Sequence, residues 1–301
     1  MNQITIIIPT YNRLAYLKEA IESCISQTLL PIEIIIGDDS SNGDTEQWIK
    51  KYISPNIKIS YYHHQPSLKQ ADNVEFLIQQ VKTEWMLLLH DDDALLPNAL
   101  EDLYKVIDSH KNRDVVFGKQ LIMDDKGKVD ENASNQLNLN YKRTANYHLK
   151  NLNSLEVALT QQLPSNSFLM KTDLAKMIHY NHKEKAGDAV DFYFCLLLAH
   201  QNVNFVFTDT FVSKYRITEN SVSTNSNAGY FSFKLVEQFK TKNEYEKNLQ
   251  FVFLKNRAPM AIMEALKMND KKFAKEIFWS QYHKDKIWSL GGVKRALKIY
   301  F

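Results

Sequence analysis

The densest run of chemically capable side chains is His90-Asp91-Asp92-Asp93, which follows the apolar run Trp85–Leu89 and precedes Ala94-Leu95-Leu96-Pro97. Three adjacent carboxylates repel one another unless a cation sits among them. Hard oxygen ligands in so small a cluster suit Mn²⁺ or Mg²⁺, above all where a diphosphate supplies the remaining ligands. The simpler alternative is a solvated turn whose aspartates cap the next helix. Two further polar clusters weigh against it. Pro9-Thr10-Tyr11-Asn12-Arg13 follows the β-branched run Ile4–Ile8, and Asp38-Asp39 follows Ile32–Ile36.

The elements that must position these clusters follow from the apolar pattern. Ile4–Ile8, Ile32–Ile36, Ile57–Tyr62 and Trp85–Leu89 read as buried strands. Between the first two, Leu14, Leu17, Ala20, Ile21, Cys24 and Ile25 recur at helical spacing, and helices are expected at Thr45–Tyr52 and Asp72–Val81. Pro97 stands where a first helical turn begins, with Ala99, Leu100, Leu103, Val106 and Ile107 continuing its apolar face. Strand–helix alternation predicts an α/β fold whose mostly parallel, Rossmann-like sheet carries helices on both faces. In such sheets ligands bind beyond the carboxyl ends of the strands, and all three polar clusters fall there.

After Val115–Gly118 the pattern loosens. Residues 124–153 are rich in Asn, Lys and Asp and are expected to form a loop region or hairpin; Phe168–Lys171 and Phe205–Phe207 read as short strands. From Tyr230 the chain reads mainly as helix. The expected division is a catalytic domain over 1–225, with a nucleotide-binding half over 1–120 and an acceptor half over 121–225, then a helical extension over 226–301.

The composition narrows the function classes. A net charge of +2 over 301 residues provides no field that would draw nucleic acid. Cys24 and Cys195 lie in apolar, helix-like surroundings and read as buried free thiols. Met1-Asn2-Gln3-Ile4 lacks a basic region before its short apolar run, and no stretch approaches the roughly 18 to 20 apolar residues of a spanning helix. A cytoplasmic location is expected.

Pro9–Arg13, the Asp-Asp-Ser-Ser of Asp38–Ser41 and the acidic motif closing in Leu95-Leu96-Pro97 together resemble glycosyltransferase family 2. The resemblance is close over roughly residues 3–120 and extends weakly to about 223. It implies the GT-A fold, a nucleotide-sugar donor, a divalent metal and inversion at the transferred sugar. It places Pro9, Thr10, Tyr11 and Arg13 beside the nucleotide and Asp39 on the base. Asp91 would contact the ribose or the metal shell, and Asp92 would bind the metal directly, with Asp93 as a further carboxylate.

There are departures. His90 stands where many members have Asp, which leaves an Asp-x-Asp pair in Asp91 and Asp93. Ala71-Asp72-Asn73 stands where many have Ala-Arg-Asn, so Lys69 becomes the candidate for the missing positive charge. Inverting transfer also needs a base for the acceptor hydroxyl. Asp191, with its following aromatics, fits the family's base best, and Asp188 beside Gly187 is the alternative; both could instead cap a helix. Lys214–Ser223 resembles the family's closing Tyr-Arg-x-His-x-x-Ser-x-Ser, with Thr218 at the histidine position. Arg216 is then expected to carry more of the phosphate charge.

The implied reaction moves a sugar, by default from a UDP-sugar, onto a glycan or lipid-linked saccharide acceptor. Abundant Asn, Lys and Ile fit an AT-rich bacterial genome, where such enzymes build surface polysaccharide or lipopolysaccharide. Two other classes compete. A sugar nucleotidyltransferase would need a glycine-rich loop where this chain has Pro9–Arg13. A non-catalytic nucleotide-binding module would have no use for both Asp92 and Asp191. Finally, the tail mixes Phe278, Trp279, Tyr282, Trp288, Tyr300 and Phe301 with Lys284, Lys286, Lys294, Arg295 and Lys298. Such a mixture suits peripheral contact with an anionic membrane, here the inner face of the plasma membrane. Packing of these helices on the catalytic domain is the other expectation.

Overall fold

The computed structural model describes residues 4–52, 56–201, 203–218 and 226–301. The first strand, β1 (Ile4–Thr10), is buried along its whole length. Its Ile4, Ile6 and Ile8 enter one apolar layer and Ile7 the opposite one, as a parallel strand covered on both faces requires. Next come α1 (Leu14–Ile25), β2 (Glu33–Asp38), α2 (Asp44–Ile49), β3 (Lys58–His63), α3 (Gln70–Gln80) and β4 (Trp85–Leu88). These four strands pair in parallel in the order β3-β2-β1-β4. Registration sets Thr10 opposite Asp38 and Ile7 opposite Leu88, so the chain leaves all three strands at one edge.

The second half is built differently. It comprises β5 (Ala94–Leu95), α4 (Ala99–Ser109), β6 (Val115–Met123), β7 (Val129–Asp130), α5 (Glu131–Asn140), α6 (Ser154–Leu159), β8 (Leu169–Lys171), α7 (Thr172–Ile178), α8 (Lys183–Ala186), α9 (Val190–His200) and β9 (Phe205–Arg216). The sheet continues β8-β6-β9-β5, with β7 paired to β6. Here β8 is antiparallel to β4 and β6, β9 is parallel to β6, and β5 is antiparallel to β9. The parallel arrangement therefore belongs to the first four strands, and the rest of the sheet is mixed.

Two sequence expectations need correction. Residues 124–153 do contain a hairpin turn between β6 and β7, but they also contain α5, whose buried positions are Ser134 and Asn138. Asn138 Nδ2 donates to Gln120 O, its Oδ1 accepts from Gln120 N, and Ser134 Oγ accepts from Ile122 N. This helix docks on a strand by hydrogen bonds, so it shows no apolar stripe. The strand expected at Phe205–Phe207 instead runs 12 residues to Arg216. A register shift beside Gly118 carries it on, where an added Cβ would lie 2.6 Å from Thr210 O.

The remaining helices are α10 (Ala228–Glu237), α11 (Glu244–Lys267), α12 (Lys271–Trp279) and α13 (Leu290–Tyr300). They continue the apolar layer that covers β6 and α9. Phe192 stacks on Phe253 with ring centroids 5.3 Å apart, and Leu254, Ala258, Ala261, Ile262 and Ala265 line the buried side of α11. Cys24 and Cys195 are buried free thiols, each pushed up to about 12 by burial. Among the described residues no helix is long and apolar enough to cross a membrane.

Candidate active site

The site forms where β1, β2 and β4 end. Thr10, the last residue of β1, donates from Oγ1 to Asp91 Oδ2 at 2.7 Å, and Arg13 Nη1 lies 2.6 Å from Asp92 Oδ2 and 3.5 Å from Asp91 Oδ1. Between them Asn12 adopts a left-handed backbone, φ 54°, which turns the chain so that its amide meets Ser40 Oγ at 2.8 Å. Its own Oδ1 accepts from Ser41 N at 3.1 Å. The first two polar clusters are thereby laced together. Pro9 lies buried in β1, while Tyr11 is exposed at the rim.

The paired aspartates after β2 divide their roles. Asp38 is fully buried and accepts from Tyr61 OH at 2.7 Å and from Ser40 N at 2.8 Å, which fixes the turn. Asp39 Oδ1 accepts from Leu68 N at 3.0 Å, and among the described residues nothing bonds its Oδ2. That oxygen is free for a ligand. Lys69, next to Leu68, is exposed with φ 73° and has no ion-pair partner among the described residues.

The acidic motif is buried and cross-braced. Burial, with Asp92 beside it, pushes Asp91 up to about 6 against the pull of Thr10 and Arg13. Burial likewise pushes Asp93 up to about 7, although it accepts from Arg216 N at 2.8 Å and Asn166 Nδ2 at 2.7 Å. Two carboxyls held at such cost are the environment that a cation relieves. His90, Asp92 and Asp93 each offer a ligand atom, and these lie within 4.8 Å of one another. His90 Nδ1 faces the Asn166 amide at 3.1 Å, and its buried Nε2 has no partner. An imidazole with two carboxylates fits a hard or borderline divalent ion such as Mn²⁺. Asp91 lies outside that group, engaged by Thr10 and Arg13.

Arg216 is the brace of the motif. Its Nε donates to Asp92 O at 2.7 Å, its Nη1 to Asp124 O at 3.2 Å and Asp125 O at 3.0 Å, and its Nη2 to Glu19. Its guanidinium lies over Tyr16, 4.7 Å from the ring centroid. The expectation for this residue was contact with phosphate; in the structure it is buried and its donors are spent on the chain itself. Residues 219–223 of the closing segment lie outside the described residues.

The two candidate bases lie at the start of α9. Asp191 Oδ1 accepts from Tyr180 OH, and Asp188 Oδ2 accepts from Asn227 N at 2.8 Å. Asp191 lines a cavity of about 110 Å³ together with Tyr180, Pro164, Ser165 and Phe168. Ser165 precedes Asn166, the residue that bonds both His90 and Asp93, so one loop connects the cavity with the acidic motif. Gly187, φ 51°, makes the turn into this region, and a Cβ there would lie 2.1 Å from the Phe231 ring. Asp188 is exposed on the far side of that turn.

The glycosyl transferase family 2 model matches residues 5–169, more than half of the chain and the whole stretch that carries the acidic motif. The chain belongs to that family. Among similar proteins, an uncharacterized glycosyltransferase of Methanocaldococcus jannaschii is 23% identical over 82% of this chain and 83% of its own length. A GalNAc(5)-diNAcBac-PP-undecaprenol beta-1,3-glucosyltransferase of Campylobacter jejuni is 33% identical over 40% of this chain and 39% of its own length. An uncharacterized glycosyltransferase of Rickettsia felis is 33% identical over 41% of this chain, a match that spans 20% of that protein. The S. aureus TarS 1-349 structure with UDP-GlcNAc has a TM-score of 0.69 at 17% identity and covers 99% of this chain and 88% of its own. A Pyrobaculum calidifontis mannosyltransferase in complex with GDP-Man and Mn²⁺ has a TM-score of 0.59 at 12% identity, covering 99% and 86%. The fold of this family 2 member is therefore the α/β GT-A fold followed by C-terminal helices.

Three residues that contribute here carried no legible signal. Asn166 orients His90 and Asp93, Glu19 pairs with Arg216, and Tyr180 holds Asp191. Asn166 and Glu19 are remote in sequence from what they contact, and Tyr180 lies 11 residues before Asp191. His90, which the sequence marks only as a departure from family pattern, joins Asp92 and Asp93 in the cation-capable group.

Proposed function

We propose that this chain is an inverting glycosyltransferase that moves a sugar from a nucleotide diphosphate donor, a UDP-sugar by default, onto a saccharide. The observation that carries the reading is the convergence of Thr10 and Arg13, Asp39, and His90–Asp93 at the ends of three parallel strands. Asp39, with Oδ2 free, would accept from the base, and Thr10, Tyr11 and Arg13 would line the nucleotide's path, with Lys69 supplying charge at its mouth. Arg216 serves as a positioning residue for Asp92 and Asp93.

His90, Asp92 and Asp93 would hold a divalent cation, Mn²⁺ or Mg²⁺, which when bound offsets negative charge on the diphosphate leaving group. Asp191 would take the acceptor's proton from the cavity that it lines with Tyr180, with Asp188 holding the turn through Asn227. Phe168 and Phe194 line the same cavity and would limit water beside that carboxylate. The fold neighbours in complex with GDP-Man and Mn²⁺ and with UDP-GlcNAc support a nucleotide-sugar donor, and the lipid-linked acceptor named for the Campylobacter jejuni relative supports a lipid-linked saccharide in surface polysaccharide or lipopolysaccharide assembly.

The test is thermal stabilisation by UDP, GDP, dTDP and CMP, each with and without Mn²⁺, on the wild type and Asp92→Ala. One nucleotide should stabilise in the presence of Mn²⁺, by about 2.7 kcal/mol at a hundredfold excess over its dissociation constant, and the variant should lose that gain. No stabilisation of the folded protein by any nucleotide would remove the donor site.

A further inference from the structure

Residues 271–301 carry eight Lys or Arg against two Asp or Glu, while the whole chain is only +2, so residues 1–270 are net −4. The positive charge is concentrated at the end that also bears the largest exposed apolar side chains. Trp288 is 90% exposed, Leu290 87% and Phe301 97%, with Trp279, Val293, Leu297 and Tyr300 also exposed.

Helix periodicity puts these side chains on one face. Leu290, Val293, Leu297 and Phe301 are spaced three or four residues apart at the surface of α13, whereas Gly292 and Ile299, on the opposite side, are buried. Gly292 is pressed closely on Lys286 O, 2.0 Å from where a Cβ would be, so the side of α13 packed there admits no side chain at this position. Arg295 is tied to the buried His283, its Nε 3.0 Å from His283 Nε2, which holds the same side inward. Lys294 and Lys298 border the apolar stripe on one side, and neither meets a carboxylate among the described residues. On the other border Lys275 lies 5.0 Å from the Tyr300 ring centroid, and Trp279 Nε1 donates to Tyr300 OH at 2.9 Å.

We infer that this face of α13, with Trp279 and Trp288 at its margins, lies on an anionic lipid surface. The occupant follows from the charge. A stripe of apolar side chains bordered on both sides by lysines that meet no carboxylate among the described residues, with indoles at the edge, matches the layering of acyl chain, headgroup and anionic phosphate. A second copy of this face would oppose lysine to lysine. The inference stands on the tail alone; its link to the proposed function is that a lipid-linked acceptor would be met at the same surface.

The test is co-sedimentation of the full chain with phosphatidylcholine vesicles and with vesicles containing phosphatidylglycerol. Binding should require the anionic lipid, fall with salt and blue-shift tryptophan emission. Lys294→Gln and Lys298→Gln should each weaken partition roughly fivefold, and Leu290→Ser with Leu297→Ser should abolish it. These positions are exposed, so nucleotide-induced thermal stabilisation should survive in every variant, which separates failure here from failure of the transferase reading. Absence of wild-type binding, equal binding by the variants, or a stable dimer that the serine variants dissociate would each overturn the inference.

Discussion

The acidic motif and the stretch around Asp188 and Asp191 both gather carboxylates, but they are held by contrasting means. His90–Asp93 is braced from β1, from Arg13 at the start of α1, from the loop at Asn166 and from the end of β9, through partners 73 to 124 residues away in sequence. Asp191 and Asp188 each rest on one hydrogen bond, from Tyr180 and Asn227, 11 and 39 residues away. The proposed donor side is thus preorganised by the tertiary structure, at the cost of two carboxyls pushed up by burial. The proposed base side depends on a single turn. Damage to the first should appear in nucleotide and metal binding and in stability; damage to the second should appear in turnover.

The hardest test of that division is Asp191→Asn. Loss of a general base typically costs 10²–10⁴-fold, so transfer should fall by about that factor while Mn²⁺-dependent stabilisation by nucleotide is retained. If Asp188→Asn shows the larger loss, the base is at the exposed turn and the roles reverse. If Asp191→Asn abolishes nucleotide binding, the two regions are not separable and the comparison fails.

Gly187→Ala probes the turn itself. The left-handed φ and the clash with Phe231 should together cost roughly 1–3 kcal/mol, read as a lowered midpoint of thermal unfolding. Phe231→Ala in the same chain should restore the part due to the clash and leave the part due to backbone. Nucleotide affinity measured on the folded fraction should not change.

The pH dependence sharpens the donor side. Asp93 and Asp91 stand at about 7 and about 6 when folded, against ordinary values near 3.8, because burial disfavours their charge. The folded state therefore holds more protons than the unfolded chain between those limits. Stability from these groups is fully present below about pH 4 and is lost as pH rises through 6 and 7. Without divalent cation, the wild type should lose a few degrees relative to Asp93→Asn between pH 5 and 8. Mn²⁺ affinity should rise over the same interval, because the ligands must shed their protons. A flat difference between the two proteins would show that Asp93 is ionised throughout.

What the sequence reveals follows the same boundary. The first four strands are legible because a parallel strand covered on both faces is a β-branched, mostly apolar run, as Ile4–Ile8 and Ile34–Ile36 are, and their polar ends therefore mark the site. Beyond Gly118 some elements dock through polar contacts rather than an apolar stripe. The helix α5 buries Ser134 and Asn138 against the backbone of β6, and so its sequence looks like a loop. Likewise, β9 continues through Thr208, Asp209, Thr210, Ser213 and Lys214, where alternation is interrupted by its shifted pairing with β6. The same reasoning explains the site residues. Asp92 and Asp39 stand in motifs, whereas the brace from Arg216 to Asp92 O exists only once distant segments have packed, and the anchor from Tyr180 to Asp191 only once α7, α8 and α9 have turned against one another.

The smallest effect is expected at that anchor. Tyr180 is buried, and its hydroxyl is held far above its ordinary range by burial and by Asp191, so it remains a donor at every accessible pH. Tyr180→Phe removes one hydrogen bond to a charged acceptor and leaves the ring packed against Phe194, 5.2 Å between centroids. The Asp191 side chain remains but gains freedom to turn from the proposed acceptor. A bond of this kind contributes about 1.5–3 kcal/mol at most, and a reoriented rather than deleted base should lose less than that, so kcat should fall roughly three- to tenfold with the donor KM unchanged. A rise in donor KM instead would place Tyr180 on the nucleotide side and erase the contrast between the two regions. An unchanged kcat would show that α9 alone fixes Asp191, which would make the base side as preorganised as the acidic motif.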